Sequence, residues 1–140
     1  MVATAAALLR YINAPDGLAH TMRDKVAADA REDAARYSTA QLVEQFASTG
    51  PQAIATARRL GPVVVDYSGA LLRLDEAVSV GILEATVHLL DLQRALGQPP
   101  DVPVEGLTHT AAVLVQMTPP VDLIEAATGR STTNLFPVLS

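Results

Sequence analysis

The stretch Val78-Ser-Val-Gly-Ile-Leu-Glu-Ala-Thr-Val-His-Leu-Leu-Asp-Leu-Gln-Arg-Ala-Leu96 decides the fold. At about 100° per residue on a helix, Val78, Ile82, Ala85, Leu89, Leu92 and Leu96 form one apolar stripe. Leu83, Val87 and Leu90 form a second. Two polar bands separate these stripes. Ser79, Thr86 and Gln93 fill one band, which the pattern assigns to solvent. Glu84, His88 and Asp91 fill the other, in a row completed by Ala77, Val80 and Ala95, and are expected to face the interior. Burying two carboxylates and an imidazole without partners costs several kcal/mol per ion. A divalent metal would offset that cost. Glu84 and His88 lie one turn apart, where their Cβ atoms sit about 6 Å from each other, close enough to hold one ion. An intrahelical ion pair beside a core histidine is the other reading of the same spacing.

Spacing alone discriminates weakly. Each histidine has an acid four positions earlier: Asp16 before His20, Glu84 before His88, Glu105 before His109. Asp16, between Pro15 and Gly17, reads as a helix cap with His20 exposed. Glu105 reads as a first-turn carboxylate favoured by the helix dipole, with His109 at the surface or in packing.

Outward from this helix the chain reads as mainly helical. Gly97 and Pro99-Pro100 end the helix that starts near Asp75. A further helix is expected over Pro103–Met117, and a short last one over Pro119–Thr128 that closes at Gly129. Upstream, Val63–Gly69 and Ala70–Leu74 suit a short β-hairpin or extended crossover. Ser38-Thr-Ala-Gln41 has capping-box spacing, and Leu42, Val43, Phe46, Ala53, Ile54, Ala57 and Leu60 follow at helical intervals. Gly50-Pro51 marks a point of division or kinking, and Gly61-Pro62 an end. Leu18–Ala35 is polar, a solvated helix or a mobile connection. Met1–Ile12 is helical and lacks an evident capping signal at its start, as if it continued a longer helix.

Composition sets the bounds. The 140 residues suit one domain, 1–140, and 49% hydrophobic with 18% charged residues suits a folded one. A net charge of −5 argues against a duplex nucleic-acid partner. Cysteine is absent, which excludes disulfides, thiolate ligands and a cysteine nucleophile. No apolar run is long enough to span a bilayer, and the N-terminal run lacks the leading basic residue of a signal peptide, so a cytoplasmic location is expected.

Gly81-Ile-Leu-Glu84-Ala-Thr-Val-His88-Leu-Leu-Asp91-Leu-Gln-Arg94-Ala-Leu-Gly97 resembles the signature helix of the mycothiol-dependent maleylpyruvate isomerase family, among the DinB-like helical bundles. Ile124-Glu-Ala-Ala-Thr-Gly-Arg130 with Phe136-Pro-Val-Leu139 is similar to that family's end, and the likeness covers Leu42 to Leu139. The resemblance implies an up-down bundle with zinc as the usual metal. Its ligands would be a second-helix histidine with Glu84 and His88. Asp91 would orient a ligand, and Arg94 would form a salt bridge or touch a substrate anion. It further implies mycothiol as thiol cosubstrate and an electrophilic small molecule as substrate, isomerised or thiolated. Leu90 stands where the family commonly has an aromatic. The family's second-helix histidine ends a Val-Ala-His segment, and the family residues just beyond that histidine would align with Met1-Val-Ala-Thr-Ala5. That ligand therefore has no counterpart, and the expectation is a bundle lacking its N-terminal helix. Two other functions stay open: a non-catalytic bundle serving as a binding or homodimerisation domain, and a metal-dependent hydrolase that uses metal-bound water.

Overall fold

The computed structural model describes residues 2–131, 134–135 and 137–138. It is mainly α, as expected. In chain order the elements are α1 (Ala5–Ile12), α2 (Leu18–Thr21), α3 (Arg23–Arg36), α4 (Thr39–Leu60), β1 (Val64–Tyr67), β2 (Ala70–Arg73), α5 (Leu74–Ala95), α6 (Val104–Met117) and α7 (Pro120–Ala127).

The hairpin is the one two-stranded sheet among the described residues. Tyr67 pairs with Ala70, leaving a two-residue turn at Ser68-Gly69. Both turn residues have positive φ, 54° and 87°, which matches the turn twist to the strand twist. The Asp66 carboxylate accepts from the Gly69 N–H at 2.8 Å and fixes the turn.

The core sits between α1, α5, α6 and the hairpin. It is built from Ala5, Ala6, Leu8 and Leu9 of α1, Leu72 of β2, Val80 and Leu83 of α5, and Val113 and Met117 of α6. At the α5–α6 crossing the helices approach closely. A Cβ on Gly106 would lie 3.1 Å from the Thr86 hydroxyl oxygen, so glycine allows this contact.

The expected uncapped start of the first helix is corrected. The Thr4 hydroxyl accepts from the Ala7 N–H at 3.2 Å, and the Glu76 carboxylate of α5 accepts from the Ala5 N–H at 2.8 Å. Ahead of the cap, Ala3 bridges in parallel to Leu72 and its N–H donates to the Leu71 carbonyl at 2.9 Å. Thr4 stands at ordinary N-cap spacing, three residues before Ala7, inside the stretch expected to be helical from Met1; only the Glu76 acceptor, 71 positions away, lies beyond local spacing. Asp16 is also corrected: the N-cap of α2 is Gly17, without a side-chain bond, and His20 is half-buried.

Helix ends otherwise follow the sequence. Ser38 and Gln41 form the reciprocal capping box of α4. Gly97, at φ 65°, ends α5 through Gln98 N–H to Gln93 carbonyl (2.8 Å) and Gly97 N–H to Arg94 carbonyl (3.1 Å), a Schellman motif. Helix α4 runs undivided through Pro51. The polar segment forms α2 and α3, neither with a buried residue.

Gln93 carries the α5–α6 connection. Its side-chain amide donates to the Asp101 carbonyl at 2.9 Å and accepts from the Asp101 N–H at 3.1 Å, and the side chain is buried. Gln93→Ala should lower stability by about 2 kcal/mol, because it removes two hydrogen bonds and strips a loop peptide of its partner. Urea unfolding would check this; a loss within about 0.5 kcal/mol, the range of an ordinary surface change, would contradict it.

Candidate metal-binding face

Helix α5 packs on the core through the arc that holds Val80, Leu83, Thr86 and Gln93. The expected orientation is therefore reversed. The band assigned to solvent is the inner one: Thr86 and Gln93 are buried and Ser79 is half-buried. Of the row assigned to the interior, Val80 is buried and Ala77 packs on the core, but the three titratable members are exposed, with side-chain accessibilities of 49% at Glu84, 73% at His88 and 57% at Asp91.

The physical reason is a difference in burial cost. A hydroxyl or amide with a partner enters a core cheaply, whereas each carboxylate must shed tightly held water. The inner polar groups have such partners or close packing. Gln93 clasps the Asp101 peptide, Ser79 shares a 2.9 Å hydrogen bond with His109, and Thr86 packs on Gly106. Two apolar stripes of similar width left the periodicity unable to choose, and the cost of charge burial chose.

Although turned outward, the band is organised. Glu84 Oε2 and His88 Nε2 are 3.2 Å apart. The other ring nitrogen, Nδ1, faces Asp91 Oδ2 at 4.0 Å. Arg94 pairs with Asp91 at 3.4 Å, the salt-bridge role among the two expected for it. The helix thus aligns an acid, an imidazole, a second acid and a guanidinium along one edge. Among the described residues, no group of three or more acidic or histidine side chains is placed to hold a metal ion.

His109 is not a third member of this set. Its bond to Ser79 places it on the other flank of α5, roughly 140° around the helix from Glu84 at five residues' separation. The Ser79–His109 pair instead borders a cleft of about 530 Å³ that also takes Arg58, Arg73 and Asp75. Arg73 Nε donates to Asp75 at 3.0 Å. The hydrogen bonds from this guanidinium hold the Asp75 carboxyl below its usual range and raise the arginine in turn. Sequence reading missed the Ser79–His109 pair because the two residues lie 30 positions apart and belong to no local spacing.

Of the tail likeness, Ile124 to Arg130 spans the end of α7 and its Gly129 stop, while Phe136 and Leu139 lie outside the described residues. Among the described residues no helix is long and apolar enough to cross a membrane. No family model, curated protein or solved structure matches the chain.

Proposed function

We propose that the chain binds a divalent metal, zinc in the first place, through Glu84 and His88, and that it does so in the manner of the thiol-activating isomerases and transferases its α5 helix resembles. One observation carries the reading: the 3.2 Å separation of Glu84 Oε2 and His88 Nε2. Two ligands of a tetrahedral zinc, each about 2.1 Å from the metal, lie about 3.4 Å from one another. The two donor atoms therefore already stand near the spacing a shared ion needs. Asp91 supports the same reading from behind. A ligating imidazole commonly directs its second nitrogen at a carboxylate, which fixes its tautomer, and Nδ1 of His88 faces Asp91.

A metal held there would lower the pKa of a thiol at its open position and so supply a thiolate at neutral pH. The chain has no cysteine, so that thiol is an external, low-molecular-weight one such as mycothiol, with an electrophilic small molecule as substrate. Such a thiol pool belongs to the cytoplasm. Within the chain, Glu84 and His88 bind, Asp91 orients His88, and Arg94 neutralises Asp91 and stands ready for an anionic group. With two ligands on an open face, zinc affinity should be weak.

A second reading has its own support. The same pair is an ion pair on a non-catalytic binding or dimerisation domain, which the exposure of both side chains favours. Zinc titration followed by the imidazole NMR signals separates the two. In the metal reading the Nε2 resonance of His88 shifts on zinc addition while that of His109 stays. Glu84→Ala weakens binding at least about tenfold, and His88→Ala removes the site. A His88 resonance that does not move at millimolar zinc would rule the metal reading out.

A further inference from the structure

The cleft that holds Ser79 and His109 is walled by the end of α4, the start of α5 and His109 of α6. Its charged groups do not balance. Two guanidiniums, Arg58 and Arg73, border it against a single carboxylate, Asp75. Arg73 is engaged by that carboxylate: Nε donates to Asp75 at 3.0 Å, and a terminal guanidinium nitrogen donates to the other oxygen. Among the described residues, Arg58 makes neither an ion pair nor a side-chain hydrogen bond. The cleft therefore keeps one uncompensated positive charge in a chain of net charge −5.

The Ser79–His109 pair adds a donor beside that charge. Oγ and Nε2 are 2.9 Å apart, and both residues are half-buried, so the pair is held in place. When Nε2 carries the imidazole proton it donates to Oγ, and the serine hydroxyl keeps its own hydrogen for a third group. The opposite end of the site is apolar. Ala57, Arg58, Val78 and Ile82 also border a second cleft of about 590 Å³, whose remaining lining is glycine, alanine and Ile54. Arg58 thus stands where a polar cleft and an apolar one meet. Each has the size of a small-molecule site, about 300–1,000 Å³.

We propose that this joined cleft binds a small organic acid, with the carboxylate at Arg58 and Ser79 and the apolar body along Val78 and Ile82. A guanidinium presents two parallel N–H donors to a carboxylate, and the serine hydroxyl supplies a third. One unpaired cation suits a monoanion better than a phosphate dianion. The apolar arm suits a hydrocarbon body, which acetate lacks. The site lies on the flank of α5 away from His88, and the inference does not depend on the metal reading.

Hexanoate titrated into the full chain should give saturable NMR shifts of the His109 ring and the Ser79 amide, while the His88 ring stays unmoved. Acetate, inorganic phosphate and 1-hexanol each reproduce only part of the ligand and should bind at least about tenfold more weakly. Arg58→Gln should weaken hexanoate at least about tenfold and leave 1-hexanol unchanged. Arg58 is exposed on a helix with no buried residue, so the variant should keep the parent's urea midpoint. Ser79→Ala should weaken hexanoate by about threefold to tenfold, the worth of one hydrogen bond. No saturable shift at about 10 mM hexanoate overturns the proposal. So does acetate, phosphate or 1-hexanol binding as tightly as hexanoate, and so does hexanoate binding that ignores Arg58→Gln.

Discussion

Leu72→Ala is expected to lower the stability of the chain by about 3–4 kcal/mol, the middle of the range for a fully buried leucine cut back to alanine. Leu72 is wholly inaccessible and joins α1, the hairpin and α5 in one cluster. Its backbone pairs with Val65 on one side and bridges to Ala3 on the other, so β2 cannot slide to fill the space left. A domain of this size has about 5–15 kcal/mol in all, and this one has nine buried hydrophobic residues among those described, so the loss is a large share. The adjacent Leu71 points to the other face and is exposed. Leu71→Ala should fall within about 0.5 kcal/mol of the parent. Urea midpoints of the two variants test the hairpin's sidedness directly. Equal losses would mean that the strand does not present Leu72 inward.

Local structure was largely legible in the sequence because its causes are local. Ser38 and Gln41 are a capping box whose two bonds both lie within four residues, and Gly97 closes α5 with bonds to Gln93 and Arg94. The hairpin needed a turn that tolerates positive φ, and Ser68-Gly69 supplied it. The features that stayed illegible depend on distant partners. Thr4 caps α1 through a local bond to Ala7, hidden by the expectation of a helix from Met1 onward, but the second acceptor, Glu76, comes from α5.

The face of α5 shows the same division more sharply. Periodicity located both apolar stripes and the polar band of Glu84, His88 and Asp91, and these residues do stand together, His88 between the two acids. It could not say which face meets the core. The partners that let Gln93 and Ser79 turn inward, the Asp101 peptide and His109, lie elsewhere in the chain, while Glu84, His88 and Asp91 have no such buried partners among the described residues. Gln93 reads as solvent-facing until the Asp101 peptide is seen in its grasp. The metal hypothesis therefore rests on donor spacing, with no contribution from buried charge. The outer stripe is left exposed at Val78, Leu92 and Leu96.

Gly17→Ala should cost about 3 kcal/mol, at the upper end of what an overpacked site usually loses. The reason is not the backbone conformation. Gly17 has φ −75° and ψ 170°, values any residue adopts. The obstacle is what lies beside its Cα. An added Cβ would sit 2.2 Å from the Ile12 carbonyl oxygen and 2.6 Å from that of Tyr11, both backbone atoms at the end of α1. No side-chain rotation relieves such an overlap. The N–H of Gly17 is already bound to the Ala14 carbonyl at 2.7 Å, and its own carbonyl accepts from His20 and Thr21, so the residue cannot withdraw without undoing the start of α2. The α1–α2 connection must shift as a whole and carry with it Leu8 and Leu9, which α1 contributes to the core. Gly81→Ala is the matched control. Gly81 lies inside α5 with nothing within 4 Å of the new methyl group, and there alanine should stabilise by about 0.5–1 kcal/mol through its helix propensity. Two identical chemical changes in one chain are thus expected to have opposite signs. Thermal and urea unfolding of both variants would measure them, and a neutral Gly17→Ala would show that α2 is not seated against the end of α1.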